Sequence, residues 1–269
     1  MPQNFPITFK EEQPQVFRGK TFQGLGIDYG LIFISSHYKM ILSLDGINTE
    51  TISSTSYSDY QCLFFDKEEK KLYYNKSNVL YEWPNKLIKD FNSKICGITK
   101  FKKEIIMTLY SLEKISNIEG KTLFDGLRFP YELEEFQGKL YYSSAANSGG
   151  LLETSNRQTV ATTGGWTNGL DISPDGKRLY FGGQDRNLYS YDGKQVKNLC
   201  SLNTNIWSIH TVKEKNEVIY CAGGDSGIEK ITLSGDKVLE RETIIKSISS
   251  ISSIVHAPID FIKSLKENK

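Results

Sequence analysis

The sequence is poor in the residues that most often form cross-links or bind metals. Its 269 residues include only four cysteines, three histidines and three methionines. The cysteines form no Cys-x-x-Cys pair and show no metal-site spacing; they are Cys62, Cys96, Cys200 and Cys221. We therefore expect buried thiols in a reducing compartment, the cytoplasm or the nucleus, with no metal and no cofactor.

Excess charge and long apolar runs are also missing. The chain has 33 Lys and Arg residues against 32 Asp and Glu residues, so it lacks the basic surplus of a nucleic-acid-binding protein. Its longest apolar runs, such as Leu31–Ile34, are too short to cross a bilayer. The first 13 residues lack the basic start and apolar stretch of a secretory signal. We expect neither a nucleic-acid partner nor a membrane partner.

What the chain does contain is a repeated strand pattern rich in aromatic residues. Tyrosine and phenylalanine number 15 and 14, and both favour strands. Six short apolar segments begin 33 to 41 residues apart. They are Leu31–Phe33, Leu72–Tyr74, Ile105–Met107, Leu140–Tyr142, Leu179–Phe181 and Val218–Tyr220.

Other strands and turns surround these segments. An earlier apolar residue lies seven or nine positions ahead of five of them, at Leu63, Ile98, Leu133, Leu170 and Ile209. Polar turns such as Pro174–Lys177 separate the two strands, and alternating segments such as Leu188–Tyr191 follow. Four strands recurring with a period of about 37 residues predict an all-β fold, a β-propeller.

The number of blades follows from length and from the chain ends. Dividing 269 residues by the period gives roughly seven blades. We expect the seventh to combine an inner strand at Ile251–Ile254 with outer strands from residues 7–18, which makes residues 1–269 one domain closed by N- and C-terminal strands. The alternative is six blades, with the termini added as extra strands. Only Phe261–Lys269 shows a helical period.

Two segments resemble the WD-repeat superfamily of propellers, namely Thr167–Tyr180 and Val218–Asp225. The Trp-Asp pair that ends WD-repeat blades is absent, although Tyr191-Asp192 is a near equivalent. The resemblance implies a propeller, and such rings commonly present one face to protein partners. Because fold alone does not define function, the partner remains open.

A narrower resemblance points to an enzyme. Ile206–Ile209 followed by Val218–Gly227 is similar to the WD-repeat diphthine methylesterases. The resemblance implies hydrolysis of a methyl ester on modified elongation factor 2, with His210 and Asp225 as candidate catalytic residues. Ser226 stands where a second Asp is typical of that family.

The loops that precede inner strands, and those between the middle strands, lie on one rim of a propeller. They place a mixed set of aromatic and polar side chains there, which we interpret as a binding surface: Trp166, Asn168, Trp207, Tyr131, Gln184 and Asp185. We predict a non-enzymatic platform for protein partners on this face, with the esterase as the alternative. Convergence of His210 and Asp225 with a further carboxylate or hydroxyl in one pocket would favour the enzyme.

Overall fold

The computed structural model describes residues 29–35, 39–43, 49–54, 60–224, 227–245 and 250–267. These residues form six sheets, each of four antiparallel strands. The innermost strand of each sheet contacts the innermost strands of two neighbouring sheets, and these contacts close a ring. The fold is therefore a β-propeller of six blades, and the all-β prediction is confirmed.

The six blades, numbered I to VI along the chain, have the following strands from the inside outward. Blade I contains β24 (Ile251–Pro258), β1 (Tyr29–Ser35), β2 (Lys39–Ser43) and β3 (Glu50–Ser54). Blade II contains β4 (Tyr60–Asp66), β5 (Lys71–Lys76), β6 (Val79–Glu82) and β7 (Lys86–Asp90). Blade III contains β8 (Ile95–Phe101), β9 (Glu104–Leu109), β10 (Lys114–Asn117) and β11 (Thr122–Phe124).

The remaining blades follow the same order. Blade IV contains β12 (Pro130–Phe136), β13 (Lys139–Ser144), β14 (Gly150–Glu153) and β15 (Thr159–Thr162). Blade V contains β16 (Thr167–Ile172), β17 (Leu179–Gly183), β18 (Asn187–Tyr191) and β19 (Val196–Ser201). Blade VI contains β20 (Ser208–Lys213), β21 (Glu217–Gly223), β22 (Gly227–Ser234) and β23 (Lys237–Ile245). A 3₁₀ turn spans Tyr110–Leu112, and helix α1 spans Ile259–Glu267 near the predicted helical segment.

The count of seven blades is corrected to the alternative of six. The segment Ile251–Ile254 is an inner strand as predicted, but it pairs with β1 in blade I. The first repeat of the sequence begins at its second strand, so the end of the chain supplies the inner strand that this repeat lacks. The predicted outer strands in residues 7–18 lie outside the described residues.

The hydrophobic core consists of six clusters, one at each boundary between neighbouring blades. Successive strand residues point to opposite faces of a sheet, and both faces of each blade are covered. This explains why the second strands appear in the sequence as continuous apolar runs. At the boundary of blades IV and V, for example, Phe136 and Leu151 pack with Leu179 and Phe181.

Glycine pairs at the ends of two second strands have a packing role. A Cβ atom on Gly183 would lie 1.9 Å from the carbonyl oxygen of Trp166, and one on Gly223 would lie 1.8 Å from that of Asn205. Only glycine, which lacks a Cβ atom, therefore lets the end of each of these two second strands lie directly against the loop that precedes the inner strand of the same blade. This close approach accounts for the Gly-Gly signature without any catalytic role.

Helix α1 closes one boundary of the ring. It packs on β24 and β1, and it buries Ile262 and Leu265 in the cluster between blades I and II. The ring of Phe261 lies 4.6 Å from that of Phe65 in blade II. Within the described part of the chain, no helix has the length and apolar character needed to span a membrane.

The blade order defines two faces of the ring. Every inner strand starts at one face, called the top, and ends at the other, called the bottom. The top face carries the loops before inner strands and those between the second and third strands of each blade. The bottom face carries the remaining hairpins, including Asp66–Lys71 and Ile172–Leu179.

We expect Leu179→Ala to lower the free energy of unfolding by about 2–5 kcal/mol, because Leu179 is fully buried between two blades and its loss leaves a cavity. The matched control is Leu239→Ala on the outer strand β23, where the side chain is 47% exposed and the cost should stay within about 0.5 kcal/mol. Urea unfolding followed by circular dichroism measures both. A loss below about 1 kcal/mol at position 179 would contradict the packing described for this boundary.

Candidate functional site

A cavity of about 300 Å³ lies in the central channel and is lined by all six inner strands. This volume is at the lower end of the range typical of small-molecule sites. Its walls include apolar side chains such as Ile98, Leu170 and Ile254. At its bottom end lie Lys67 and the ion pair of Lys100 with Asp66, in which the nitrogen and oxygen are 3.0 Å apart.

Polar side chains from five consecutive blades line this channel, and one from each blade belongs to a set that follows the channel wall. We call this set the channel belt: Thr99 of blade III, Glu134 of blade IV, Asp171 of blade V, His210 of blade VI and His256 of blade I. Because neighbouring inner strands lie side by side, residues far apart in sequence become neighbours in the belt. All five line the same cavity.

Hydrogen bonds join the belt in two groups. The Thr99 hydroxyl donates to Glu134 Oε2 at 3.3 Å. Beyond Glu134, Asp171 Oδ2 lies 3.3 Å from His210 Nδ1, and His210 Nε2 is hydrogen-bonded to His256 Nδ1. The second group is therefore a row of three side chains that crosses blades V, VI and I.

The backbone holds the carboxylate at the start of this row. The backbone N–H of Thr211 donates to Asp171 Oδ2 at 2.7 Å, and that of Ile172 donates to Oδ1 at 2.8 Å. Two amide donors favour the ionised carboxylate, which can then accept from His210 Nδ1. The hydrogen-bond network thus assigns the ring protons: His210 carries its proton on Nδ1, and its bare Nε2 accepts from Nδ1–H of His256. This leaves the lone pair of His256 Nε2 available as a base.

Burial in the channel controls the charge of both imidazoles. Desolvation disfavours the charged ring, so the pKa of His256 falls to about 3 and that of His210 falls well below its ordinary value. The nearby charge of Lys67 acts in the same direction on both rings. At neutral pH both side chains are therefore uncharged.

The same burial acts in the opposite direction on the carboxyl groups. Desolvation raises the pKa of Asp171 to about 6, against the lowering effect of its two amide donors. The pKa of Glu134 is raised well above its usual range by burial and by the negative charge of Asp171. Near neutral pH the belt thus holds an ionised Asp171 and two neutral imidazoles, beside a Glu134 whose protonated form is favoured by burial.

Of the two sequence-predicted catalytic residues, His210 lies in this site, where it meets Asp171 and His256. Asp225 lies outside the described residues, so its convergence with His210 stays a prediction. The remaining predicted site residues are the six binding residues expected on the top face.

Three of the predicted binding residues form one group at the top of blade V. Trp166 is 42% exposed, and its backbone N–H donates to Gln184 Oε1 at 3.2 Å. Asp185 accepts from the backbone N–H of Gly164 at 3.3 Å and from the Tyr189 hydroxyl at 2.7 Å. The two polar side chains therefore support the loop that presents Trp166.

The other three predicted binding residues are more enclosed. Asn168 is buried on β16, and no described donor reaches its Oδ1 atom. Trp207 and Tyr131 are half-buried, and burial raises the pKa of Tyr131. Their role in binding stays a prediction.

Sequence reasoning missed four of the five belt residues, all except His210, although a signal was present for some of them. Glu134, Asp171 and His210 each directly follow an apolar landmark of the repeat, namely Leu133, Leu170 and Ile209. The same repeat position in three successive blades therefore carries a titratable residue, and it could have indicated Glu134 and Asp171. His256 could be placed only once β24 was assigned to blade I.

The arrangement suits proton transfer better than metal binding. Among the residues that the structure describes, no three His, Cys, Asp or Glu side chains are placed to hold a metal ion. A bare imidazole nitrogen and a carboxyl group whose pKa is raised by burial line one small cavity, so the site offers a candidate base and a candidate acid.

Comparison with known proteins identifies the fold and no more. No family model matches the chain, and no curated protein matches it. Among solved structures, it is similar to one described as "Streptogramin B lyase structure", with 15% identity, a TM-score of 0.59, and coverage of 85% of this chain and 87% of that one. At this identity the likeness supports a β-propeller, a fold that hosts many functions.

Proposed function

We propose that the protein is an enzyme that performs general acid–base chemistry on a small substrate in the central channel. The observation that carries this proposal is the row Asp171–His210–His256, which ends in the channel cavity. A base oriented by a second group that is itself oriented by a carboxylate is a recurring arrangement in catalysis. Each of the three residues lies on a different inner strand, and that strand fixes its position around the channel.

In the proposed mechanism His256 Nε2 removes a proton from the substrate or from a bound water. His210 and Asp171 are positioning residues that hold the His256 ring and stabilise the positive charge it gains. Glu134 donates its carboxyl proton to the group that becomes negative. After turnover, one proton leaves His256 and one returns to Glu134, which restores both groups.

The reaction class is proton transfer, which includes hydrolysis by an activated water and elimination. Hydrolysis of a methyl ester, to which the diphthine methylesterase resemblance points, is one member of this class. A lyase reaction is another, and the similar solved structure is named as a lyase. Both belong in the same substrate panel.

We expect turnover of at least one substrate in a panel of small methyl esters, lactones and elimination substrates. Replacing the acid or the base typically removes about 10²–10⁴-fold of rate, so His256→Gln and Glu134→Gln should each lower kcat/KM by that amount. The matched control Glu135→Gln changes the next residue of β12, which does not line the cavity, and should leave kcat/KM unchanged. Equal activity in all three variants would contradict the proposed roles.

The pH profile gives a second test within the same assay. Asp171 must be ionised to accept from His210, so kcat/KM should fall as the pH drops through about 6, the pKa of Asp171. Protonation of His256 should not limit activity until a pH of about 3. In Asp171→Asn the step near pH 6 should vanish and the activity should be low throughout. A wild-type profile that is flat between about pH 5 and pH 7, one unit either side of that pKa, would argue against the role of Asp171.

A second function, a protein-interaction platform, is favoured by the top face. Three large apolar side chains on adjacent blades are exposed there: Leu112 by 42%, Phe129 by 43% and Trp166 by 42%. Exposed aromatics on one face are typical of interaction sites. The channel cavity extends to the bottom face, so both functions can coexist. We propose a cytoplasmic or nuclear location, which the four unpaired cysteines support.

If the top face is a platform, Trp166→Ala and Phe129→Ala should each weaken capture of its protein partners by roughly tens of fold, because buried aromatic anchors dominate interfaces. Leu239→Ala, equally exposed on an outer strand, is the matched control and should bind normally. Quantitative pull-down with mass spectrometry measures the ratio between variants and wild type. Unchanged capture by folded Trp166→Ala and Phe129→Ala proteins would rule out the top face as the surface that binds protein partners.

A further inference from the structure

A second glutamate lines the channel cavity, and its carboxyl group has no hydrogen-bond donor among the residues that the structure describes. Glu132 lies two residues before Glu134 on β12, so both side chains point to the same side of the strand. The backbone N–H of Glu132 donates to Ser143 Oγ at 3.0 Å, but no described residue donates a hydrogen bond to its carboxyl group. The wall of the cavity therefore contains an acid that the proposed mechanism does not use.

The positive charges nearby do not satisfy Glu132. Lys100 is bound to Asp66 at 3.0 Å and to Glu68 at 2.7 Å. Lys67 lies at the bottom end of the cavity and acts on Asp171 and the two imidazoles. Burial, and the charge of Asp171, raise the pKa of Glu132 well above its usual range. Glu132 is thus a carboxyl group that a cation in the cavity would ionise.

The inner strands also carry oxygen atoms without donors. Gln61 Oε1 on β4, Asn168 Oδ1 on β16 and Ser252 Oγ on β24 are buried, and no described group bonds to them. None of the three residues lines the channel cavity, so Glu132 is the group there that can meet a ligand.

We propose that the channel binds an organic cation, a protonated amine or amidinium on a small apolar body, with Glu132 as its anionic partner. The inference rests on the proposed acid–base site, for which it names the class of substrate. The apolar walls at Ile98, Leu170 and Ile254 would enclose the body of the ligand. They also favour an organic cation over a metal ion, for which the described residues offer no set of three ligands.

Binding of this ligand is coupled to proton release. Because burial raises the pKa of Glu132, the fraction of the carboxyl group that is protonated loses its proton to solvent when the carboxylate pairs with the ligand's ammonium group. The ammonium keeps its own protons, so up to one proton leaves the complex for each cation bound. A neutral ligand of the same shape would cause no such release.

The experiment is isothermal titration calorimetry of the full chain at pH 7 with three ligands of one shape: benzylammonium, benzyl alcohol and benzoate. Titrations in two buffers of different ionisation enthalpy measure the protons released. We expect benzylammonium to bind at least about tenfold more tightly than benzyl alcohol and to release protons, up to one per ligand, with benzoate weakest. Glu132→Gln should abolish both the preference and the release, whereas the control Glu135→Gln should keep both.

Several results would overturn the inference. They are equal binding of the three ligands, a preference for benzoate, no binding of any of them, an unchanged preference in folded Glu132→Gln, or displacement of benzylammonium by stoichiometric Mg²⁺. The test is separate from that of the acid–base function, because His256→Gln should retain benzylammonium binding while losing turnover. Cation binding without any turnover would remove the proposed function and the role of the cation as its substrate, and would leave only the cation site standing. Turnover of neutral substrates alone would support the proposed function and contradict the inference.

Discussion

The pairing of the last strand with the first described one is the constraint on which the rest of the structure depends. Strand β24 pairs with β1 from Tyr29 to Ser35 and supplies the innermost strand of blade I. It is also tied to both neighbouring blades, because Ser253 Oγ accepts from Leu63 N at 3.0 Å and Ser208 Oγ accepts from Ile254 N at 3.3 Å. Closure leaves no inner edge open to pairing with another chain, and it places His256 beside His210.

A closed ring makes the channel a place where charge is costly. Water is largely replaced by apolar side chains, so an ion in the channel needs its own donors or acceptors. Asp171 has them in two backbone amides and one imidazole, and it is the belt member that stays ionised near neutral pH. The imidazoles and Glu134 avoid the cost by remaining uncharged. Desolvation opposes the burial of these groups in their charged forms. It thus favours a neutral His256, which can act as a base, and a protonated Glu134, which can act as an acid.

The repeat was predictable from sequence because it is a local property of the chain. All six second strands and five inner-strand landmarks lie where the apolar spacing places them. The leading count of seven gave way to the alternative of six because the predicted inner strand Ile251–Ile254 pairs with β1 and completes its blade, whereas the prediction paired it with residues 7–18 in a separate blade. The uncertain partner of this strand also hid the site: His210 and His256 are 46 residues apart and touch only once the ring is closed. His210 alone was identified, through a motif that did not indicate its partners.

The central claim is that closure creates a hydrogen-bonded row with defined protons, Asp171–His210–His256. The most direct test is long-range ¹H–¹⁵N NMR of the two imidazole rings between pH 4 and pH 8, which covers the ordinary titration range of histidine, about pH 6.5. The account predicts that both rings stay neutral at pH 7 with the proton on Nδ1, and that His256 does not titrate until a pH of about 3. Titration of either ring near 6.5, or a bare Nδ1 on His256, would contradict it.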